Sequence, residues 1–391
     1  MEVQHNGGNI LTDDRQLGPF PMHRLRRVDK PTTLVTGEIE RVNGADNPLD
    51  MARRGAYGPA VQRAAEPFLP DRHPISAALH EVVVRVATVR EEAVAAVKAP
   101  ISDDPRVLSR HIKRLGYFLG ADVMGICRIP KSAVYTHDFG GEPVEIAYRN
   151  AIVLVMRKEF RSVQASTGTD WFGDPLSFQA YLRLGIATEV VASYIKRLGY
   201  PASPQSHIGQ GKPGYQVLIP PLLLWAGIGE VSRVGVTLNP FLGLSFKAAA
   251  VLTDMPLEPD KPIDFGLQDF CQHCQICAEN CPVEAISTGD KAIYNGYETW
   301  KVNEKRCATF SVTNKRGSIC NSCVKVCPWT KPNTWPHNTV RWAVQRSAVA
   351  RRLAIRASSL DGQGRARESE KWWFDVHYQD GILSDAPERK W

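Results

Sequence analysis

The spacing of the cysteines constrains this chain more than any other feature. Cys271, Cys274, Cys277 and Cys281 read C-x2-C-x2-C-x3-C, with Pro282 next. Cys320, Cys323 and Cys327 repeat the end of that pattern before Pro328, and Cys307 lies upstream with twelve residues between it and Cys320. Two intervening residues let successive thiolates turn toward one iron–sulfur cube. A cysteine directly before proline reaches the other cube in two-cluster ferredoxins. The spacing therefore predicts two [4Fe-4S] sites with crossed ligands. Cys271, Cys274, Cys277 and Cys327 hold the first, and Cys281, Cys307, Cys320 and Cys323 hold the second. Zinc ribbons use separated C-x2-C pairs, which suits this run less well. Haem attachment is excluded because no C-x2-C pair is followed by His. Cys127 lies in an apolar run and reads as a core thiol.

The remaining sequence is that of an ordinary globular protein. With 391 residues, 43% hydrophobic and 23% charged, it can bury a sizeable core. A net charge of +7 is compatible with an acidic redox partner and is weak evidence for nucleic acid, so no nucleic-acid partner is expected. The apolar stretch from Val217 to Ile228 is interrupted by Pro220-Pro221 and is too short to span a bilayer. The arginine pair in Arg24-Leu25-Arg26-Arg27 is followed by Val28-Asp29-Lys30-Pro31 and not by an apolar run, so it reads as a surface patch. The expected location is the cytoplasm, where thiols stay reduced and disulfides are not expected.

Along the chain, residues 1–75 read as an irregular arm with one strand-like run, Thr32 to Thr36. Apolar spacing predicts helices over Pro74–Val97, from Asp103-Asp104-Pro105 to about Gly116, and over Leu176–Leu198. Continuous apolar runs at Ala121–Cys127 and Ala151–Met156 predict buried strands, and further strand-like pieces lie at Val234–Leu238 and Lys247–Leu252. The expected organisation is an α+β or α/β body over 76–263 and a two-cluster ferredoxin-like domain over 264–338. A C-terminal helix, Val340 to about Ala357, and a polar tail with Trp372, Trp373 and Trp391 complete the chain.

Beyond the cysteines, several stretches resemble the reductive dehalogenases, corrinoid enzymes that remove halide from organohalides. In the module these are Cys277-Ala278-Glu279-Asn280-Cys281-Pro282, Ala285-Ile286-Ser287, Trp300 and Cys327-Pro328-Trp329-Thr330-Lys331-Pro332. Upstream they are Leu119–Ile126 with Val134-Tyr135, Leu198-Gly199-Tyr200, Gly227–Arg233, Thr253–Leu257, and Arg41-Val42-Asn43 with Ala52-Arg53. The resemblance covers roughly residues 25–340. It implies a nitroreductase-like, corrinoid-binding α/β domain before the ferredoxin domain, and a base-off cobalamin with no protein ligand on its lower face. The D-x-H-x-x-G motif of His-on enzymes is absent, since Asp71-Arg72-His73-Pro74-Ile75-Ser76 has Ser in place of Gly.

The resemblance also implies two catalytic residues, Tyr181 and Arg233, and makes His207, a departure from the family's pattern, a third candidate. Tyr181 stands in the place of the family's proton donor, although Phe178, Tyr181 and Leu184 also share a helical face. A phenol is a neutral donor at pH 7. Arg233 resembles an arginine that holds that tyrosine. His207 stands near where family members carry Asn, and is a second proton source, a hydrogen-bond partner or a loop residue. The implied substrate is an organohalide. Because no flavin or ferredoxin module follows residue 391, the expected electron donor is an external ferredoxin, flavodoxin or reductase. Two other readings stay open. One is an epoxyqueuosine reductase-like enzyme, although the Asp-Tyr-His motif of that group is missing and Ala147-Tyr148-Arg149 stands in the comparable region. The other is a non-enzymatic iron–sulfur carrier, which would hold no corrinoid.

Overall fold

The computed structural model describes residues 16–66, 69–87, 93–206, 215–315, 317–360, 364–374, 376–379 and 382–385. The arm is more regular than its composition suggests. It contributes a two-residue strand β1 (Arg26–Arg27) and short helices α1 (Pro48–Arg53) and α2 (Pro59–Ala65). Each helix begins with proline, which is pre-set for the first turn, and Asn47 caps α1 by accepting from the Leu49 N–H. The run Thr32–Thr36 makes only one β-bridge, Val35 to Tyr297.

Helix α3 (Pro74–Val86) is shorter than predicted, because its C-cap falls at Ala87. Helix α4 (Pro105–Phe118) starts where expected, with the Asp104 carboxylate accepting from the Arg106 N–H. Strands β2 (Val123–Arg128) and β3 (Asn150–Arg157) follow, then α5 (Phe160–Ala165), α6 (Gly173–Arg197), β4 (Ala202–Gln205) and α7 (Ile219–Trp225). The two-residue strands β5 (Glu230–Val231) and β6 (Thr237–Leu238) pair with each other, so the predicted Val234–Leu238 strand is only the second arm of a tight hairpin.

Strand β7 (Phe246–Thr253) completes a four-stranded sheet of order β2-β3-β7-β4, and every pairing in it is antiparallel. Ile126 faces Ile152 and Ile152 faces Val251, which fixes the register. The strands are apolar throughout because both faces are covered. On one face Met124, Ile126, Ile152, Leu154 and Val251 pack against Leu108 and Ile112 of α4 and Leu184, Val191 and Ile195 of α6. On the other, Val123, Cys127, Val153 and Leu252 pack against Leu222 and Ala226 of α7 and against Phe265, Phe270 and Trp329 of the cysteine module. A Cβ on Gly125 would lie 2.3 Å from the Ala226 carbonyl, so glycine is what lets α7 approach the sheet. Cys127 is buried there, its thiol pushed up by desolvation, as a core thiol should be.

The composition changes at residue 264, yet the chain is stitched across that point. Strand β8 (Ile263–Asp264) pairs with β1 from the arm. The module then carries α8 (Leu267–His273), α9 (Ile276–Glu279), α10 (Glu304–Thr313) and α11 (Ser322–Val326). The single Arg-rich helix expected near the C-terminus is two helices, α12 (Trp335–Arg346) and α13 (Ala348–Leu360). Ser347 breaks them with extended backbone at φ −133°, ψ 125°. Among the described residues no helix is long and apolar enough to cross a membrane.

Candidate functional site

The eight module cysteines separate into two groups in space. After burial, the groups that most raise the Cys271 thiol are Cys274 and Cys277. Cys327 feels Cys271 and Cys274, and Cys277 feels Cys327 and Cys274. In the other group burial pushes the Cys323 thiol up to about 12, and Cys320, Cys307 and Cys281 add to it. Cys307 is exposed as a residue, but its sulfur faces protein and feels Cys320 and Cys281. A cavity of about 440 Å³ is lined by these four, Cys281, Cys307, Cys320 and Cys323. The one influence across the groups runs from Cys323 to Cys277, so the two sites are neighbours.

Buried thiols that repel each other are stabilised when a metal takes their protons. Three closely spaced cysteines followed by Cys-Pro, in a chain with eight such thiols, suit two cubes of four irons better than zinc. The Ala285 N–H donates to Cys281 Sγ at 3.2 Å.

The Glu230-x-x-Arg233 stretch fastens this module to the body. Arg233 is 1% exposed, and its guanidinium donates to the carbonyls of Cys271, Cys274, Ser287 and Gly289 at 2.8–3.0 Å. Its plane also lies 4.9 Å from the Trp300 ring centroid. The expectation that Arg233 holds Tyr181 is therefore corrected, because its donors are used on the loops around the first cysteine group. Glu230 accepts from the Phe265 N–H at 2.8 Å and from the Thr32 hydroxyl at 2.5 Å, tying arm to module.

Burial pushes the Glu230 carboxyl up from 4.5 to about 7. The folded protein thus holds this proton more tightly than the unfolded chain. The carboxyl favours folding below about pH 4.5, and that contribution is lost as pH rises through about 7. Glu230→Gln keeps an acceptor but cannot ionise. The melting temperature of the parent protein relative to this variant should fall as pH rises from about 4.5 to about 7 and level off above that. A constant difference would remove Glu230 from the pH dependence.

Tyr181 sits in the third turn of α6, half-buried, at the edge of the core formed by α4, α6 and the sheet. Lys247, on β7, places its ammonium 4.9 Å from the Tyr181 ring centroid. Next to Lys247 lies Lys158, at the end of β3, only 4% exposed and held well below its ordinary pKa by burial and then by Lys247. Lys158 donates to Asn321 Oδ1 at 3.2 Å and also feels Cys323, so it adjoins the second cysteine group. Asp174 completes this polar tract. It is 1% exposed, and desolvation raises it to about 6 against the pull of Lys247, Arg72 and Lys158. Neither of its carboxyl oxygens meets a donor at hydrogen-bonding geometry, although the Ile319 amide lies close enough to lower it. On the other side of Tyr181 stand Tyr215, whose buried phenol is pushed well up by desolvation, and Tyr135 and Phe139.

Residues 270–331 match the family described as a 4Fe-4S dicluster domain. The chain is 27% identical over 318 residues to the tetrachloroethene reductive dehalogenase of Sulfurospirillum multivorans, covering 71% of this chain and 61% of that protein. It is 32% identical over 208 residues to the enzyme of the same name from Desulfitobacterium hafniense, covering 50% of this chain and 36% of that one. A catabolic reductive dehalogenase solved with 3-bromo-4-hydroxybenzoic acid superposes with a TM-score of 0.87. It is 35% identical and covers 97% of this chain and 55% of that one. The chain is similar to these proteins, which carry the name reductive dehalogenase. It spans less than two thirds of the length of each of these three proteins.

A segment matching the 4Fe-4S dicluster family is joined to an α/β body. Mutual electrostatic influence groups Cys271, Cys274, Cys277 and Cys327, and separately Cys281, Cys307, Cys320 and Cys323. His73, the nearest approach to a lower-face histidine, is the 2% exposed N-cap residue of α3 and stacks on Phe374 at 4.6 Å. Burial lowers it to about 4. His207 lies outside the described residues. Sequence reasoning missed Lys247, Lys158 and Asp174. A signal existed for the first, since Lys247 is a lone cation heading the apolar run Ala248–Leu252. Lys158 and Asp174 sit at element ends, where polar residues are ordinary, so nothing local marked them.

Proposed function

We propose that this chain is an oxidoreductase that removes halide from an organohalide reductively, with Tyr181 as proton donor and two [4Fe-4S] clusters as electron relay. The observation that carries the reading is the Lys247 ammonium over the Tyr181 ring, with the buried Lys158 acted on by both Lys247 and Cys323 of the second cluster site. The family relationship implies a cobalamin. The residues present fit such a group. A corrinoid is rimmed with amides, and the Asp174 carboxyl oxygens are buried and lack a hydrogen-bond partner of their own. Asp174, Lys158 and Lys247 are the residues proposed to hold its edge. Bound cobalamin supplies the low-potential cobalt that breaks carbon–halogen bonds.

The overall change takes two electrons and one proton: the carbon–halogen bond breaks, a carbon–hydrogen bond forms and halide leaves. Tyr181 Oη supplies the proton at the carbon. The Lys247 ammonium lies 4.9 Å from the ring centroid, a contact that positions the ring. Tyr135, Phe139 and Tyr215 supply aromatic walls that suit an apolar halogenated ring and exclude water.

The test is anaerobic reconstitution with iron, sulfide and cobalamin, followed by a halide-release screen of halophenols and haloalkenes with a strong reductant. The reading expects about eight irons and one corrinoid per chain, with halide released. Eight irons with no corrinoid retained would make the chain an electron carrier instead.

Lys247→Gln should lower halide release per bound corrinoid by about tenfold or more, since it removes the cation that lies over the proton-donating ring. Equal rates across the pH range in parent and variant would remove the lysine from the proton step.

A further inference from the structure

Helices α12 and α13 diverge from the Ser347 break and leave an apolar groove of about 750 Å³ between them. Its lining includes Phe270, Pro328, Trp329, Val340, Leu353 and Ala354. Phe270 precedes Cys271 in the chain, and Pro328-Trp329 follow Cys327. The groove is thus separated from the first cluster site by one layer of side chains. Val340 and Leu353 are 51% and 60% exposed, which is unusual for aliphatic residues on facing helices.

The surroundings are strongly positive. Between Glu304 and Asp361 the sequence contains no Asp or Glu, while Lys331, Arg341, Arg346, Arg351, Arg352 and Arg356 fall on or beside the two helices. Asp269 of α8 binds Arg351 at 2.5 Å and Arg352 at 3.1 Å, and this fixes α13 against the helix that carries Cys271. Arg356 is exposed one turn after Leu353, on the same side of α13. An apolar groove with a basic border is complementary to a partner with an apolar spot ringed by carboxylates.

We propose that the α12–α13 groove receives an acidic one-electron carrier protein, which reduces the cluster held by Cys271, Cys274, Cys277 and Cys327. The carrier loses one electron per encounter and the cluster gains it, with no proton or bond changing place. Two encounters supply the two electrons of one dehalogenation. The inference rests on the proposed function only for the need for electrons, and its test contains no organohalide, so the two can fail separately.

The test mixes reduced acidic flavodoxin with the reconstituted full chain in an anaerobic stopped-flow, following the loss of cluster absorbance. The second-order rate constant should fall as salt rises. The double variant Leu353→Glu, Arg356→Glu should lower it about tenfold or more. Iron content and reduction by dithionite should stay unchanged, and Arg356→Lys should keep the parent rate. An unchanged rate in the double variant overturns the proposal. So does an equal loss in Lys305→Glu, Arg306→Glu, which would move docking to the exposed side of the second site. A dimer that dissociates in Leu353→Glu would assign the groove to a second copy of the chain. Retention of an RNA stem-loop that the same double variant loses would assign it to nucleic acid. Either result overturns the carrier.

Discussion

Tyr181→Phe is expected to lower halide release by about 10²- to 10⁴-fold, the usual worth of a positioned general acid. The change removes one oxygen and leaves the ring. Its packing at the core edge and its contact with the Lys247 ammonium are therefore preserved. Iron and corrinoid contents should match the parent protein, and the melting temperature should change little, because no buried cavity forms. The measurement is single-turnover halide release from the fully reduced protein, which isolates the bond-breaking and protonation steps from electron delivery. A phenylalanine variant that releases halide at the parent rate would show that the proton comes from elsewhere. His207 or water would then be the next candidates.

Comparing Tyr181 with Arg233 shows what the sequence can and cannot convey. Both were assigned by resemblance alone, because neither spacing nor periodicity marks a catalytic side chain. The structure places Tyr181 beside the Lys247 ammonium, and places Arg233 among carbonyls of the cluster loops. The difference lies in tertiary contacts. Lys158, Asp174 and Lys247, which act on one another, come from the end of β3, the start of α6 and the start of β7, some ninety residues of chain brought to one place. The cysteines behave differently because ligand spacing is itself a local geometric requirement. The sheet was legible for a similar reason: strands buried on both faces must be apolar throughout, and β2, β3 and β7 are. The pairing direction was not legible, since a buried parallel strand and a buried antiparallel strand have the same composition. The Ser347 break between α12 and α13 was missed because serine is compatible with a helix. Only the packing of α13 on α8 through Asp269 forces the turn.

The crossed ligand scheme makes the second large prediction. Cys281→Ala should abolish the cluster of Cys307, Cys320 and Cys323 while leaving that of Cys271, Cys274, Cys277 and Cys327, so iron falls from about eight to about four per chain. An uncrossed scheme predicts the same count, because Cys281 would then belong to the first site. The double variant Cys281→Ala, Cys307→Ala separates the two. If the ligands cross, both changes fall in one site, and about four irons remain with the spectrum of an intact cluster. If they do not cross, each site loses one ligand and both clusters are compromised. Cys281→Ala, Cys327→Ala is the control, since it injures both sites under either scheme. The electrostatic grouping favours the first outcome, because Cys307 and Cys323 both feel Cys281 while Cys327 feels Cys271 and Cys274. A protein retaining only the first cluster should still accept an electron from dithionite yet release no halide. The second site, which adjoins Lys158 and through it Lys247 and Tyr181, is the only one of the two with a described polar connection to the proposed acid.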